Sequence, residues 1–159
     1  MGVRGSAGGA VDVVVREAWW DRDGEAIRQV RTAVFLHEQG IPESLDFDGL
    51  DDRCFHVLAV TVKGKPVGTG RIEPGGRIGR LAVLPECRGR GIGRRLMFLL
   101  IAIALREGLR RITLHAQEPV IPFYEKLGFT RTGEPFFEAG IRHVAMTKTI
   151  GLQDLAEAS

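Results

Sequence analysis

Apolar and β-branched residues from Val11 to Ala18 predict a first strand. The spacing then becomes helical. Ile27, Val30, Val34 and Phe35 share one face, Asp21 or Asp23 stands ready as a cap, and Gly40-Ile41-Pro42 ends the run. The acidic stretch from Glu43 to Asp52 reads as a solvated loop, long enough to be a flap over an acceptor site or a mere connection. Phe55 to Val62 and Pro66 to Ile72 predict an antiparallel pair joined by the turn Lys63-Gly64-Lys65. Arg77 to Leu84 predicts a further strand, entered from Glu73-Pro74-Gly75-Gly76 and ended by Pro85.

Ile92, Leu96, Leu99, Leu100 and Ile103 mark the buried face of a second helix, closed at Gly108. Arg111 to Ala116 is the next strand. Pro122 opens a short helix through Phe123, Tyr124, Lys126 and Leu127 that stops at Gly128. Strands near Phe129 to Thr132 and Arg142 to Ile150 complete the pattern. The expected fold is a single α/β (α+β) domain: a mixed, mostly antiparallel central sheet with one helical crossover and flanking helices.

At 159 residues, with 44% hydrophobic and 26% charged positions, the chain has the size and composition of one globular domain. The expected organisation is a flexible tail over residues 1–10, the domain over 11–151, and a C-terminal tail over 152–159. A net charge of +2 does not argue for nucleic acid. The longest apolar run, Leu96 to Leu105, is about half the ~20 residues of a membrane span. No apolar signal segment opens the chain, so the cytoplasm is the expected compartment and Cys54 and Cys87 are expected as thiols.

The candidate chemistry lies at Arg88-Gly89-Arg90-Gly91-Ile92-Gly93, between a strand and an amphipathic helix. A helix N-terminus exposes unbonded N–H groups and partial positive charge, and glycines let an anion approach the backbone. A diphosphate suits that arrangement. No segment has the lysine of a P-loop, and Arg94 stands where a dinucleotide fingerprint needs its third glycine. Ile41 removes the second histidine from His37-Glu38, and the cysteines lack metal-site spacing, so no metal is expected. No Gly-x-Ser-x-Gly elbow occurs either.

Arg88 to Gly93 resembles the signature of the GNAT superfamily of N-acyltransferases, an Arg or Gln followed by x-x-Gly-x-Gly or Ala. Leu81-Ala82-Val83 and Phe123-Tyr124-x-x-Leu127-Gly128-Phe129 are similar to its flanking cofactor motifs. Arg31-x-x-Val34-Phe35-x-x-Glu38-Gln39, Asp48-x-x-Asp51 and Gly140-Ile141-x-His143-x-x-Met146 resemble the ElaA-like branch.

The resemblance implies an acetyl-CoA cosubstrate and an amine acceptor, small molecule or peptide. It implies that Leu81, Ala82, Val83, Arg88, Gly89, Arg90, Gly91, Ile92, Gly93, Phe123 and Tyr124 bind the cofactor. Arg94 and Gln117 are further candidates, for the phosphates and the pantetheine amides. A backbone N–H at Val83 would stabilise the oxyanion, and Tyr124 would protonate the departing thiolate. For the base, Glu38 and Glu73 lead, His56 and His143 follow, and a water chain is an alternative. Small domains of the family often pair, which admits a homodimer. A non-catalytic acyl-CoA sensor and a protein-interaction module, with the acidic segment as its contact surface, are the rival functions.

Overall fold

The computed structural model describes residues 12–156. The expected tail over 1–10, Val11 and residues 157–159 lie outside them. Strand β1 (Val13–Ala18) runs antiparallel to β2 (Phe55–Thr61), followed by β3 (Pro66–Ile72) and β4 (Arg77–Val83). The crossover helix α3 (Ile92–Arg106) then returns the chain to β5 (Arg111–Gln117), parallel to β4. Strands β6 (Thr130–Arg131) and β7 (Phe136–Glu138) both pair with β8 (Ile141–Thr149), which lies beside β5. Among the described residues this makes an eight-stranded sheet, antiparallel except at β4 and β5. The expected fold class holds. Strand β7 had no predicted counterpart.

Alternation along β2 loads both faces of the sheet. Leu58 packs with Ala18 and with Ile27 of helix α1 (Trp20–Arg31), while Val57 and Ala59 belong to the cluster built around α3. Gly68 and Gly70 let α3 lie close to the sheet: an added Cβ would stand 3.0 Å from Leu96 at the first and 3.1 Å from Leu100 at the second.

Helix α1 begins one residue before Asp21, and Asp23 accepts from the Trp19 N–H at 3.0 Å. It runs on without a break into a π-helical segment, Thr32–Glu38, which places Gln39 at its end. The residues after Gly151 are more than a tail. Helix α5 (Gln153–Ala156) buries Asp154, which pairs with Lys148 at 3.0 Å and accepts from the Gly151 N–H at 2.8 Å. Cys54 and Cys87 are both free thiols, and burial pushes Cys54 up to about 11.

The turn before β4 depends on Gly76. Its φ is +104°, and a Cβ there would sit 2.9 Å from the Arg111 carbonyl oxygen. Gly76→Ala is expected to destabilise the fold by about 1–3 kcal/mol, because the strained φ and the backbone clash coincide. Urea unfolding measures it, and an unchanged midpoint would refute the assignment.

Candidate active site

Strands β4 and β5 are paired only at Arg77↔Thr113 and Ile78↔Leu114; beyond these they separate. On its other edge β4 carries a bulge. Thr69 pairs with Ala82 and Arg71 with Gly79, so the two steps on β3 face three on β4. Arg80 absorbs the extra residue at φ +52°, a conformation uncommon outside glycine. Past the bulge, the Leu84 N–H donates to the Val67 carbonyl at 2.9 Å. Antiparallel alternation therefore turns the backbone of Leu81 and Val83 away from β3, toward the gap left by β5.

The chain leaves β4 through the 3-10 turn Pro85–Cys87 and enters the glycine loop. Gly89 and Gly91 have φ of +79° and +82°, and Gly91 caps α3. A Cβ at either glycine would meet nothing within 4 Å, so the space above the loop is open. The N-terminus of a 15-residue helix faces that space, supplying N–H donors to an anion.

The splay and the loop belong to one cleft of 930 Å³. Its floor includes Leu81, Ala82 and Val83; Gly89, Gly91, Ile92, Gly93 and Arg94 bound one end. Asp46, Asp48, Arg71 and Arg80 border another part, and Gln117, Phe123, Tyr124 and His143 form much of a wall. Tyr124 lies in helix α4 (Ile121–Lys126), in edge contact with Phe123 and Phe129. Burial pushes its phenol above the ordinary value.

The predicted solvated loop is instead an ionic cluster packed into the protein. Helix α2 (Glu43–Asp46) and the 3-10 turn Asp51–Arg53 fold the acidic segment back over the sheet. Arg31, 0% exposed, donates to Asp46 at 3.1 Å, to the Asp46 carbonyl at 2.6 Å and to Asp51 at 2.7 Å. Arg71 bridges Asp48 at 2.6 Å and Asp51 at 2.8 Å. Arg80 donates to the carbonyls of Leu45 and Asp46, both at 3.0 Å, and to Asp48 at 3.2 Å. Asp46 and Asp51 are held out of solvent by ion pairs and hydrogen bonds from arginines, not by hydrophobicity, which is why an acidic composition concealed their burial.

Desolvation raises Asp46 even beside two arginines, whereas at Asp51 it is outweighed by bonds from Arg31 and Arg71 and the net shift is downward. Hydrogen bonds from Arg71 hold Asp48 well below the ordinary carboxylate value.

A bulged, splayed strand running into a glycine loop and helix is one geometry, and the whole-chain comparison gives it a family. Residues 22–150 match the model of the acetyltransferase (GNAT) domain. The chain belongs to the GNAT family. It is accordingly an enzyme of the acetyltransferase class. A Bacillus subtilis (strain 168) relative, whose name marks it provisionally as an acetyltransferase, is 36% identical over 140 residues, covering 84% of this chain and 95% of its own. The structure of an acyl-CoA N-acyltransferase from Pseudomonas aeruginosa superposes with a TM-score of 0.76 at 28% identity, covering 88% of this chain and 100% of that one. Escherichia coli ElaA gives 0.74 at 27% identity, with coverages of 86% and 99%.

Most of the residues expected from the GNAT signature line the cleft, but several side chains have other engagements. Arg88, expected on phosphate, forms a two-pronged pair with Glu38 at 2.8 and 2.7 Å and donates to the Val83 carbonyl at 2.9 Å. Its guanidinium thus ties the loop to the end of α1 and to β4. The same pair corrects the expectation for Glu38. The Arg88 hydrogen bonds hold its carboxyl below the ordinary value, it does not line the cleft, and a carboxylate so stabilised is a poor proton acceptor.

Arg90 is exposed and outside the cleft lining. Arg94 lines the cleft with its guanidinium 4.5 Å from the Phe98 ring. Gln117 exchanges amide bonds with Gln39, donating at 2.9 Å and accepting at 3.4 Å. Glu73 lines the cleft at the turn that begins β4. His56 is not a base candidate: it is 1% exposed, bonded to the Asp51 carbonyl at 2.8 Å, and lowered by burial.

The GNAT-branch motifs Arg31 and Asp48-x-x-Asp51 prove to be halves of the ionic cluster. Arg71 and Arg80, their partners, were not singled out. The only available signal was a charged residue at a position in a strand that should be buried, two residues from Thr69 in one case and beside Gly79 in the other. Among the described residues no group of three or more His, Cys, Asp or Glu could hold a metal, and no helix is long and apolar enough to cross a membrane.

Proposed function

We propose that the enzyme transfers the acetyl group of acetyl-CoA directly to a primary amine on a small molecule or peptide. The observation that carries this reading is the cleft between β4 and β5, where the Leu81 and Val83 backbone faces an open slot that runs to the N-terminus of α3. The diphosphate would rest on the N–H groups of the loop from Gly89 to Gly93. The pantetheine arm, an extended chain of amides, would lie along β4 and bond its outward N–H and C=O groups, displacing the Gln39–Gln117 amide pair or joining it.

That placement brings the thioester to the Leu81–Val83 stretch. A Val83 N–H there would bond the carbonyl oxygen as it gains charge in the tetrahedral transition state, in a site partly closed to water. Tyr124 faces the same cleft and would give its proton to the departing thiolate. Burial weakens the phenol as an acid. It weakens the thiolate's hydration too, so the same desolvation that raises one pKa raises the other and keeps transfer within reach.

The test combines binding and turnover. The protein is expected to bind acetyl-CoA by calorimetry and to release free thiol only when a member of an amine panel is present: amino sugars, polyamines, amino acids and peptides. Binding without amine-dependent release would indicate a sensor, and no binding of any acyl-CoA would overturn the reading.

A further inference from the structure

Strands β5 and β8 place three polar side chains on the wall of the cleft. Gln117 pairs directly with His143, and His115 stands two residues earlier on the same face. All three line the cleft, as does Glu138 of β7, which reaches over from the adjoining hairpin. Counting on from the pair Ile78↔Leu114 and allowing for the extra residue of the β4 bulge, Gln117 comes level with Ala82, between Leu81 and Val83, so His143 stands across the cleft from the backbone that faces the thioester in the proposed reaction.

The two histidines are held differently. At His115, Nδ1 lies 2.9 Å from the Arg77 guanidinium, which only donates, and 3.2 Å from a Glu138 carboxylate oxygen, which only accepts, so these contacts fix no lone pair for the cleft. At His143, Nδ1 lies 2.7 Å from the Ile141 carbonyl oxygen. A carbonyl only accepts, so Nδ1 carries the hydrogen and the neutral ring has its lone pair at Nε2. The ring is 7% exposed and stacks on Phe136 at 6.0 Å between centroids, which fixes its plane. The nearest charge to Nε2 is Glu138, at 4.0 Å. That distance leaves no hydrogen bond to the lone pair, yet it places a carboxylate where an imidazolium would be stabilised.

We propose that His143 Nε2 is the base that takes a proton from the incoming ammonium, with Glu138 as the group that stabilises the imidazolium. The proposal rests on the amine-acetylation reading. R–NH3+ gives one proton to Nε2, the freed amine lone pair attacks the thioester carbonyl, and the C–S bond breaks. The thiolate takes the Tyr124 proton, and the second amine proton returns through water to the tyrosinate. The products are the amide, free thiol and imidazolium, which sheds its proton to solvent. Glu73 is poorly placed for this. Its N–H bonds the Arg77 carbonyl at 2.9 Å, at the start of β4. Val83 is six positions on from Arg77, one of them taken up by the bulge, which leaves roughly 17 Å of strand between them.

The charged and titratable groups facing His143 are Glu138 from β7, His115 from β5 and Arg77 from β4, the last shared with Glu138 at 3.6 Å. The experiment uses the amine that scores best in the panel and reads kcat/KM against pH. His143→Gln is expected to lower kcat/KM by at least about 100-fold at neutral pH and to abolish the acid limb, with acetyl-CoA affinity unchanged. Glu138→Gln, on an exposed side chain, is expected to lower kcat/KM by a smaller factor, since the imidazolium formed on proton transfer loses the carboxylate 4.0 Å away.

A wild-type profile in His143→Gln, with the fold verified by circular dichroism, would overturn the proposal and leave the acetylation reading standing. If no panel amine reacts with wild-type enzyme, it is the acetylation reading that fails. The imidazole is then decided by long-range proton–nitrogen NMR: hydrogen on Nδ1 is expected, and hydrogen on Nε2 overturns the assignment.

Discussion

Arg31→Met is expected to destabilise the enzyme by about 3–5 kcal/mol, read as a fall in the urea midpoint. The volume of the side chain is nearly kept, so the loss is not one of packing. Arg31 is buried and bonds the carboxylates of both Asp46 and Asp51, and its removal leaves those charges away from water with one partner fewer. The penalty for an uncompensated buried charge is what sets the size of the effect. A loss below about 1 kcal/mol would show that water reaches the cluster.

The pH dependence has a definite sign. Asp48 and Asp51 have folded values below their unfolded ones, so the stability they contribute is present above pH ~4 and is lost as pH falls through the folded values. Asp46 is raised and works in the opposite sense, contributing stability that is lost as pH rises through its folded value. In Arg31→Met, Asp51 loses one of its two donors and moves up while Asp48 keeps Arg71, so the gap between variant and wild type narrows below pH ~4.

The cluster also bears on the site. Arg80 holds a φ of +52° in the middle of a strand, at a cost of about 1–2 kcal/mol for a residue with a Cβ. Its guanidinium is anchored by the carbonyls of Leu45 and Asp46 and by Asp48, that is, by the acidic segment. The bulge turns Leu81 and Val83 toward the cleft. A segment that reads as a solvated loop in the sequence is therefore the support of the central strand, and loosening it in Arg31→Met should impair turnover under conditions where the fold survives.

What was legible follows from where the information lies. The crossover from β4 through the glycine loop into α3 was readable because glycine with positive φ, a following amphipathic helix and a preceding strand are all local signals, and each agrees with the others. The ionic cluster was not, because Arg31, Asp46, Asp51 and Arg71 are 15 to 20 residues apart along the bonds that join them, and charge in isolation predicts solvent. Glu38 and Arg88 illustrate the same limit at the site: each looked like a residue for the ligand, and 50 residues of separation hid their bond to one another. His143 was legible as a titratable group, but its lone pair became assignable only when the Ile141 carbonyl was found on its other nitrogen.

Tyr124→Phe is expected to lower kcat by about 10²–10⁴-fold while leaving the acetyl-CoA dissociation constant within a factor of two. The split between the two quantities carries the argument. The ring makes edge contacts with Phe123 and Phe129, all of which phenylalanine keeps, so packing and the shape of the cleft are preserved. What disappears is one O–H. If that group donates only as the C–S bond breaks, its loss raises the barrier without weakening the ground-state complex, the signature of an interaction made in the transition state. A ground-state contact to the thioester would instead raise the dissociation constant together with a smaller fall in kcat.

The leaving-group chemistry sharpens the test. An acyl donor whose departing thiol is more acidic needs less help from a proton, so the penalty of Tyr124→Phe should shrink with an activated aryl thioester of the same acyl group and remain large with acetyl-CoA. A penalty equal for both donors would assign Tyr124 to positioning rather than to proton transfer. An unchanged kcat with acetyl-CoA would leave thiolate departure to water entering the cleft.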